Sequence, residues 1–178
     1  KTDFGLAAPI NPAADPAEVS EVLDGLNLQM VVNLGLNDMW GDTLRQYMDK
    51  WVRPRPARFA AMANLNGKQV NDPDFSRKAV TQLREDVKNG AIALKIFKEL
   101  GLVWRDSEGR LLRPDDARFA PVWDACAELG IPVLIHVNDP RAFFDPVDRF
   151  NERYLSLTRD NRSSWYGKVD ITHEQLMQ

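Results

Sequence analysis

Gly130-Ile-Pro-Val-Leu-Ile-His-Val-Asn-Asp-Pro140 decides how the rest of the chain is read. The apolar run Ile131 to Ile135 stops at a single histidine, His136, and a loop with Asn138, Asp139 and Pro140 follows at once. A continuous apolar run of this length reads as a strand covered on both faces, as in parallel sheets. A polar, metal-competent side chain where such a strand ends is where α/β barrels carry their chemistry. The ordinary alternative is a histidine satisfied by hydrogen bonds at a strand end.

Working outward, the same pattern of helix, then apolar strand, repeats. Asp15 as N-cap, Pro16 at the first helical position and Glu18 at the third open a helix. Val19, Val22, Leu23 and Leu26 give that helix an apolar face to bury. Leu28 to Leu34 reads as a strand stopped by Gly35. A second helix is expected over about Asp42 to Val52, with Leu44, Tyr47, Met48 and Trp51 as its stripe, ended by Pro54 and Pro56. Ala57 to Asn64 is the next strand. A helix after Asp72-Pro73 carries Phe75, Ala79, Val80, Leu83 and Val87, and Gly90 closes it. Ala91 to Phe97 is the third strand, and a polar loop of roughly fifteen residues follows it, long enough to suggest a functional insertion. A helix from near Ala120, with Val122, Trp123 and Cys126 on one face, leads into the focal strand. A long polar segment then runs to a last helix capped by Thr172. Residues 1–14, with Pro9 and Pro12, read as a loop.

Strict alternation with strands near Leu28, Ala57, Ala91 and Ile131 argues for a parallel sheet with right-handed crossovers. A doubly wound sheet and part of a (β/α)8 barrel both fit. No Gly-x-Gly-x-x-Gly or Walker-type loop follows any strand, which lowers the nucleotide readings. Four strands make half a barrel, and half a barrel leaves unpaired edges and exposed interior side chains. A complete barrel needs about 250 residues. Residues 1–178 are therefore expected to be a single segment of a larger barrel, incomplete at both ends, that aggregates or pairs with a second copy when isolated.

Composition narrows the partners. The 178 residues are 44% hydrophobic and 28% charged, with a net charge of −3. That balance suits a globular domain and argues against nucleic acid and anionic membranes. No apolar stretch reaches the roughly 20 residues that span a bilayer. Cys126 is the only cysteine; it excludes an internal disulfide framework, fits a reducing compartment and points to the cytoplasm. A small-molecule substrate is the expected partner.

His136 leads the candidates for chemistry. Metal-assisted hydrolysis calls for about three protein ligands, and the chain has two histidines. His173, at the start of the last helix, reads as a surface residue. Lys95 lies inside an apolar strand, where an ammonium needs a partner or a path to water. Lys98 leaves the carboxyl end of the same strand. Both lysines are candidates to bind an anionic substrate group or line the mouth. Asp139 could orient a ligand, but an Asx turn before Pro140 is the simpler reading. Phe143, Phe144, Trp165 and Tyr166 could wall a pocket, and Asn33, Asn64 and Asn66 sit at strand exits. The cluster Arg84-Glu85-Asp86 reads as a solvated helix face.

The run Ala93-Leu-Lys-Ile-Phe-Lys-Glu-Leu-Gly-Leu102 resembles the fourth-strand segment of the amidohydrolase-related family. Gly109-Arg110, Asp115-Asp116 and Pro121-Val-Trp123 continue the likeness. Gly130 to Pro140 resembles the family's fifth-strand segment, and Ala142-Phe-Phe with Asn151-Glu-Arg153 resembles the loop after it. The likeness is good over 90–178 and loose over 15–66. It implies a metal-dependent (β/α)8 barrel, of which about strands 2 to 5 are present. It makes His136 a ligand of a divalent ion, with zinc the expected metal. The first-strand His-x-His pair has no match here, and the sixth-strand histidine and eighth-strand aspartate are expected beyond Gln178. Members hydrolyse C–N or C–O bonds, and relatives decarboxylate or hydrate. Hydrolysis by the complete barrel is the expected activity, with decarboxylation or a non-catalytic ligand-binding barrel as the alternatives.

Overall fold

Among the described residues the strands pair in parallel, and strand order follows chain order. The computed structural model describes residues 2–8, 10–11, 13–137 and 139–177, with the backbone alone for 2–7. Pro9, Pro12 and Asn138, which the sequence reading placed in loops, lie outside the described residues. In chain order the elements are β1 (Thr2–Ala8), α1 (Pro16–Gly25), β2 (Leu28–Asn33), α2 (Gly41–Tyr47), β3 (Phe59–Ala61), β4 (Ala63–Asn64) and α3 (Phe75–Lys88). Then come β5 (Leu94–Ile96), α4 (Glu99–Leu102), α5 (Ala120–Leu129), β6 (Val133–Ile135), α6 (Tyr154–Arg159) and α7 (His173–Leu176). The chain divides into two compact units, residues 1–96 with 115–135, and residues 97–114 with 136–178.

The first unit holds all the strands among the described residues. β1, β2 and β3 form one sheet; β4, β5 and β6 form another. Met62 alone separates β3 from β4. Its N–H donates to Asn33 O at 2.9 Å, and the next N–H, of Ala63, donates to Ala93 O at 2.8 Å. One strand thus leaves the first sheet and enters the second, which gives five strand positions. A doubly wound sheet reverses its strand order at a switch point; here no reversal occurs among the described strands, and the progression is the one a barrel wall requires.

Two expectations are corrected. Residues 2–8 form a strand, not a loop, because β2 offers a partner: Gly5, Leu6, Ala7 and Ala8 lie opposite Met30, Val31, Val32 and Asn33. A strand position therefore precedes the one expected to be the first present, and β1 carries no histidine. The focal strand is not covered on both faces. β6 pairs only with β5 among the described residues, and Leu134 is 41% exposed.

Helix packing follows the sequence where the stripe is long. Leu44, Tyr47, Met48 and Trp51 are all buried. To keep that stripe inward the helix widens into a π-turn over Met48–Val52, where Arg53 N–H donates to Met48 O at 2.9 Å. Trp51 then meets the edge of Phe59 at 5.1 Å between ring centroids. In α1 Asp15 caps as expected, its carboxylate accepting from Ala17 N–H at 2.7 Å. Only Leu23 of its four stripe residues is buried, and Val22 and Leu26 are exposed. α3 and α5 pack through Phe75 and Phe119, whose rings meet edge-on at 5.6 Å. Cys126 is buried, and burial pushes its thiol pKa up, as befits packing and not nucleophilic chemistry.

Asp86 contradicts the solvated-face reading. It is buried, and its Oδ1 accepts from Gly41 N–H at 2.9 Å and Gln82 Nε2 at 3.1 Å. The carboxylate satisfies a backbone donor at the start of α2 that no helical carbonyl can reach. Burial raises its pKa, opposed by those two hydrogen bonds.

The second unit is built of short turns. Gly101, at φ +99°, breaks α4. Asp106 organises the polar loop that follows, accepting from the Glu108 and Arg110 N–H groups at 2.9 Å each. Thr172 and Gln175 form a reciprocal capping box at α7. Among the described residues no helix is long and apolar enough to cross a membrane.

Candidate functional site

Two adjacent strand positions run directly into the residues that gather here. Lys98 stands two residues after β5, and His136 immediately follows β6. Asp139, three residues on, is only 8% exposed and joins them. Its Oδ2 accepts from Trp165 Nε1 at 2.6 Å and pairs with Lys98 Nζ. His136 Nε2 stands 3.4 Å from the other oxygen, Oδ1. The Lys98 ammonium also lies 4.8 Å from the centre of the Trp165 ring, within cation–π range. Trp165 is held in turn by its backbone N–H, which donates to Phe143 O at 2.7 Å.

Asp139 is thus a hub and not a turn residue. A nearly buried carboxylate needs compensation for the water it has lost, and one ammonium and one indole N–H supply it. A proton on His136 Nε2 directed at that carboxylate places the imidazole lone pair on Nδ1. A carboxylate behind a metal-binding imidazole sets its tautomer and orientation in this way. Its Oδ2 is engaged by Lys98 and Trp165 and its Oδ1 faces the ring, which suits Asp139 to bracing the imidazole.

No group of three or more histidine, cysteine or acidic side chains placed to hold a metal occurs among the described residues. The chemistry of the donor set fits one ligand of such a centre, an imidazole at a strand exit, with any others outside these residues.

The other candidates fall as follows. Lys95 is buried in the first unit, and its Nζ donates to Ile96 O at 2.9 Å. Asn33 and Asn64 act as braces. Asn33 Oδ1 accepts from the Ile10 and Gly35 N–H groups at 3.2 and 3.0 Å. Asn64 Oδ1 accepts from Met39 N–H at 3.2 Å, while its Nδ2 donates to Leu34 O at 3.0 Å. Asn66 caps the turn at 67–69 through Lys68 N–H. In the second unit Phe144, Trp165 and Tyr166 line a groove of about 420 Å3 with Arg141. His173, expected at the surface, is half-buried on that groove, its ring meeting Phe144 edge-on at 5.7 Å. Sequence reasoning undervalued Asp139; a carboxylate three residues past a strand-end histidine was the available signal.

No protein-family model matches the chain, and no curated protein matches it. Solved structures do. A 2,6-dihydroxybenzoate decarboxylase from Rhizobium aligns with a TM-score of 0.52 and 19% identity, over 78% of this chain and 43% of its own. A 2,6-dihydroxybenzoate decarboxylase complexed with 2,6-dihydroxybenzoate aligns at 0.51 and 20% identity, over 68% and 39%. A 5-carboxyvanillate decarboxylase from Novosphingobium aromaticivorans, with bound manganese, aligns at 0.50 and 16% identity, over 89% and 42%. The chain spans about two fifths of the length of these structures. All three are amidohydrolase-superfamily barrels. Over the stretch it covers, this chain has the α/β fold with parallel strands that those amidohydrolase-superfamily barrels share.

Proposed function

We propose that this chain forms the first five strand positions of a metal-dependent (β/α)8 barrel whose complete form hydrolyses a C–N or C–O bond of a small molecule. The observation that carries the reading is His136, directly after the fifth strand position with the Asp139 carboxylate 3.4 Å from its Nε2. The resemblance found in the sequence puts a metal-ligating histidine at that place. A divalent ion bound there, zinc on this reading, would lower the pKa of a water molecule and polarise the scissile group. His136 supplies one ligand and Asp139 keeps its ring in the ligating orientation. Lys98 and Trp165 hold Asp139 in place. Lys95 is the cation assigned to an anionic substrate group. Lys98, first read in that role, serves mainly as counter-charge to Asp139. The single buried cysteine is the support for a cytoplasmic setting.

The test is metal content and turnover of the full-length protein after His136→Ala. Loss of about one bound ion per chain, together with activity, is expected. Unchanged metal and rate remove His136 from the site, and a wild-type protein that binds no metal and turns nothing over leaves the ligand-binding barrel.

Decarboxylation is the second reading, favoured by the solved structures of similar fold, whose names are those of decarboxylases acting on aromatic acids. Product analysis separates the two: carbon dioxide on one side, an amine, alcohol or acid on the other.

A further inference from the structure

Ser164, in the second unit, is only 4% exposed. Its hydroxyl bonds to no group among the described residues. That oxygen is also not one of the unpartnered atoms sealed inside the protein. It therefore opens on the cavity that Ser164 lines, a space of about 610 Å3 between the end of α6 and the turn at 164–168. Buried polar groups in folded proteins are paired with protein, water or ligand. None of the residues lining this cavity belongs to the group formed by His136, Asp139, Lys98 and Trp165.

A cation is tied down beside the serine. The Asn161 carbonyl accepts from Ser164 N–H at 3.0 Å and from Lys168 Nζ at 2.6 Å. Sharing one oxygen holds the ammonium next to the Ser164 backbone, and two of its three protons remain available. Arg159, the last residue of α6, lines the same cavity and pairs with no acid among the described residues. Asp160 is the one acid on the wall, and Arg162 cancels it. Arg162 Nε donates to Asp160 Oδ1 at 2.8 Å, and Nη2 donates to Oδ2 at 2.6 Å. Those bonds lower the Asp160 pKa to about 2, so the carboxylate stays ionised and committed to Arg162. Arg159, Arg162 and Lys168 against Asp160 leave two positive charges, on a chain whose net charge is −3.

Two positive charges and a hydroxyl donor suit a phosphate monoester better than a carboxylate, which carries a single charge. A phosphate monoester carries about −1.5 to −2 at neutral pH and has three strong acceptor oxygens. An arginine fork engages two phosphate oxygens and a lysine binds phosphate as a point charge, which leaves the Ser164 hydroxyl for the remaining oxygen. Water can satisfy the hydroxyl but gives the two cations no counter-charge. Val147 and Tyr166, the latter 54% exposed, add an apolar wall to the same cavity. We infer that this cavity of the second unit is a binding site for a phosphate monoester with a small apolar body.

The probe is phenyl phosphate, titrated calorimetrically into the full-length protein, with phenyl sulfate as the same body carrying one charge and inorganic phosphate as the anion without a body. Saturable binding of phenyl phosphate is expected, with phenyl sulfate at least about tenfold weaker and inorganic phosphate weaker than the ester. Ser164→Ala removes a hydroxyl that bonds to nothing among the described residues, so the fold should persist; it should weaken phenyl phosphate about tenfold. Lys168→Met should weaken it at least as much, whereas Lys68→Met, which removes the same charge from the first unit, should leave it unchanged. A crystal soaked in phenyl phosphate should show the phosphorus beside Ser164 Oγ and Lys168 Nζ. No saturable binding, equal affinity for phosphate and sulfate esters, or equal affinity of wild type and Ser164→Ala overturns the assignment. So does equal weakening by the two lysine variants, inorganic phosphate binding as tightly as the ester, or a soaked crystal with the phosphorus elsewhere.

Discussion

Replacing Asp139 by alanine tests the hub most directly. The substitution removes the acceptor of the 2.6 Å Trp165 indole bond. A hydrogen bond to a charged group contributes about 1.5–3 kcal/mol. It also strands the Lys98 ammonium. Breaking a fully buried ion pair costs about 3–5 kcal/mol, but the Lys98 side chain is 21% exposed and can turn to water, so about 1–2 kcal/mol is the better figure here. The expected loss is therefore about 3–4 kcal/mol, a few hundredfold in the folded-to-unfolded ratio. Asp139→Asn keeps an oxygen for the indole and loses only the charge, so it should cost about half as much. Urea unfolding of the full-length protein, read by circular dichroism, supplies both numbers. Hydrogen exchange at the Trp165 indole should accelerate in the alanine variant. A double-mutant cycle with Lys98→Met should return a coupling of about 1–2 kcal/mol. An Asp139→Ala cost under about 1 kcal/mol, or asparagine as damaging as alanine, would refute the hub.

Asp86 gives a pH dependence of unusual sign. Its folded pKa is raised by burial above the unfolded value of about 3.8, so the folded state holds the proton more tightly, and stability falls as pH rises from about 4 toward the raised value. Asp86→Asn should remove that slope in pH-dependent urea unfolding, and an unchanged slope would show the carboxylate to be unstrained. Gly35 sits at φ +70°, and a Cβ there would come within 2.4 Å of Asn64 Oδ1 and 2.7 Å of Met39 Cβ. Asn64 is pinned by its own hydrogen bonds, so Gly35→Ala should cost about 3 kcal/mol and lower the melting temperature by roughly 8 °C; an unaltered melt contradicts the crowding. If Asp139 braces a ligating imidazole, Asp139→Asn should weaken metal binding about 10- to 100-fold in the full-length protein. Equal affinity by competition with a chelator would confine Asp139 to a structural role.

Local chemistry made much of this protein legible before any coordinates. Leu44, Tyr47, Met48 and Trp51 repeat at helical spacing and are buried together. Asp15, Gly130 and Thr172 punctuate helices where they were expected to. Parallel alternation and the exit of a strand into His136 were readable because apolar period and caps are properties of neighbours along the chain. What the tertiary structure decided involves partners far apart in sequence. β1 is a strand only because β2 accepts it, and β6 is half-exposed because nothing described pairs with its outer edge. Asp139 meets Lys98 and Trp165 across 41 and 26 residues, and Asp86 meets Gly41 across 45. In a short window each looked like a turn or a wet helix face, since a carboxylate is dry or solvated according to what the fold brings over it.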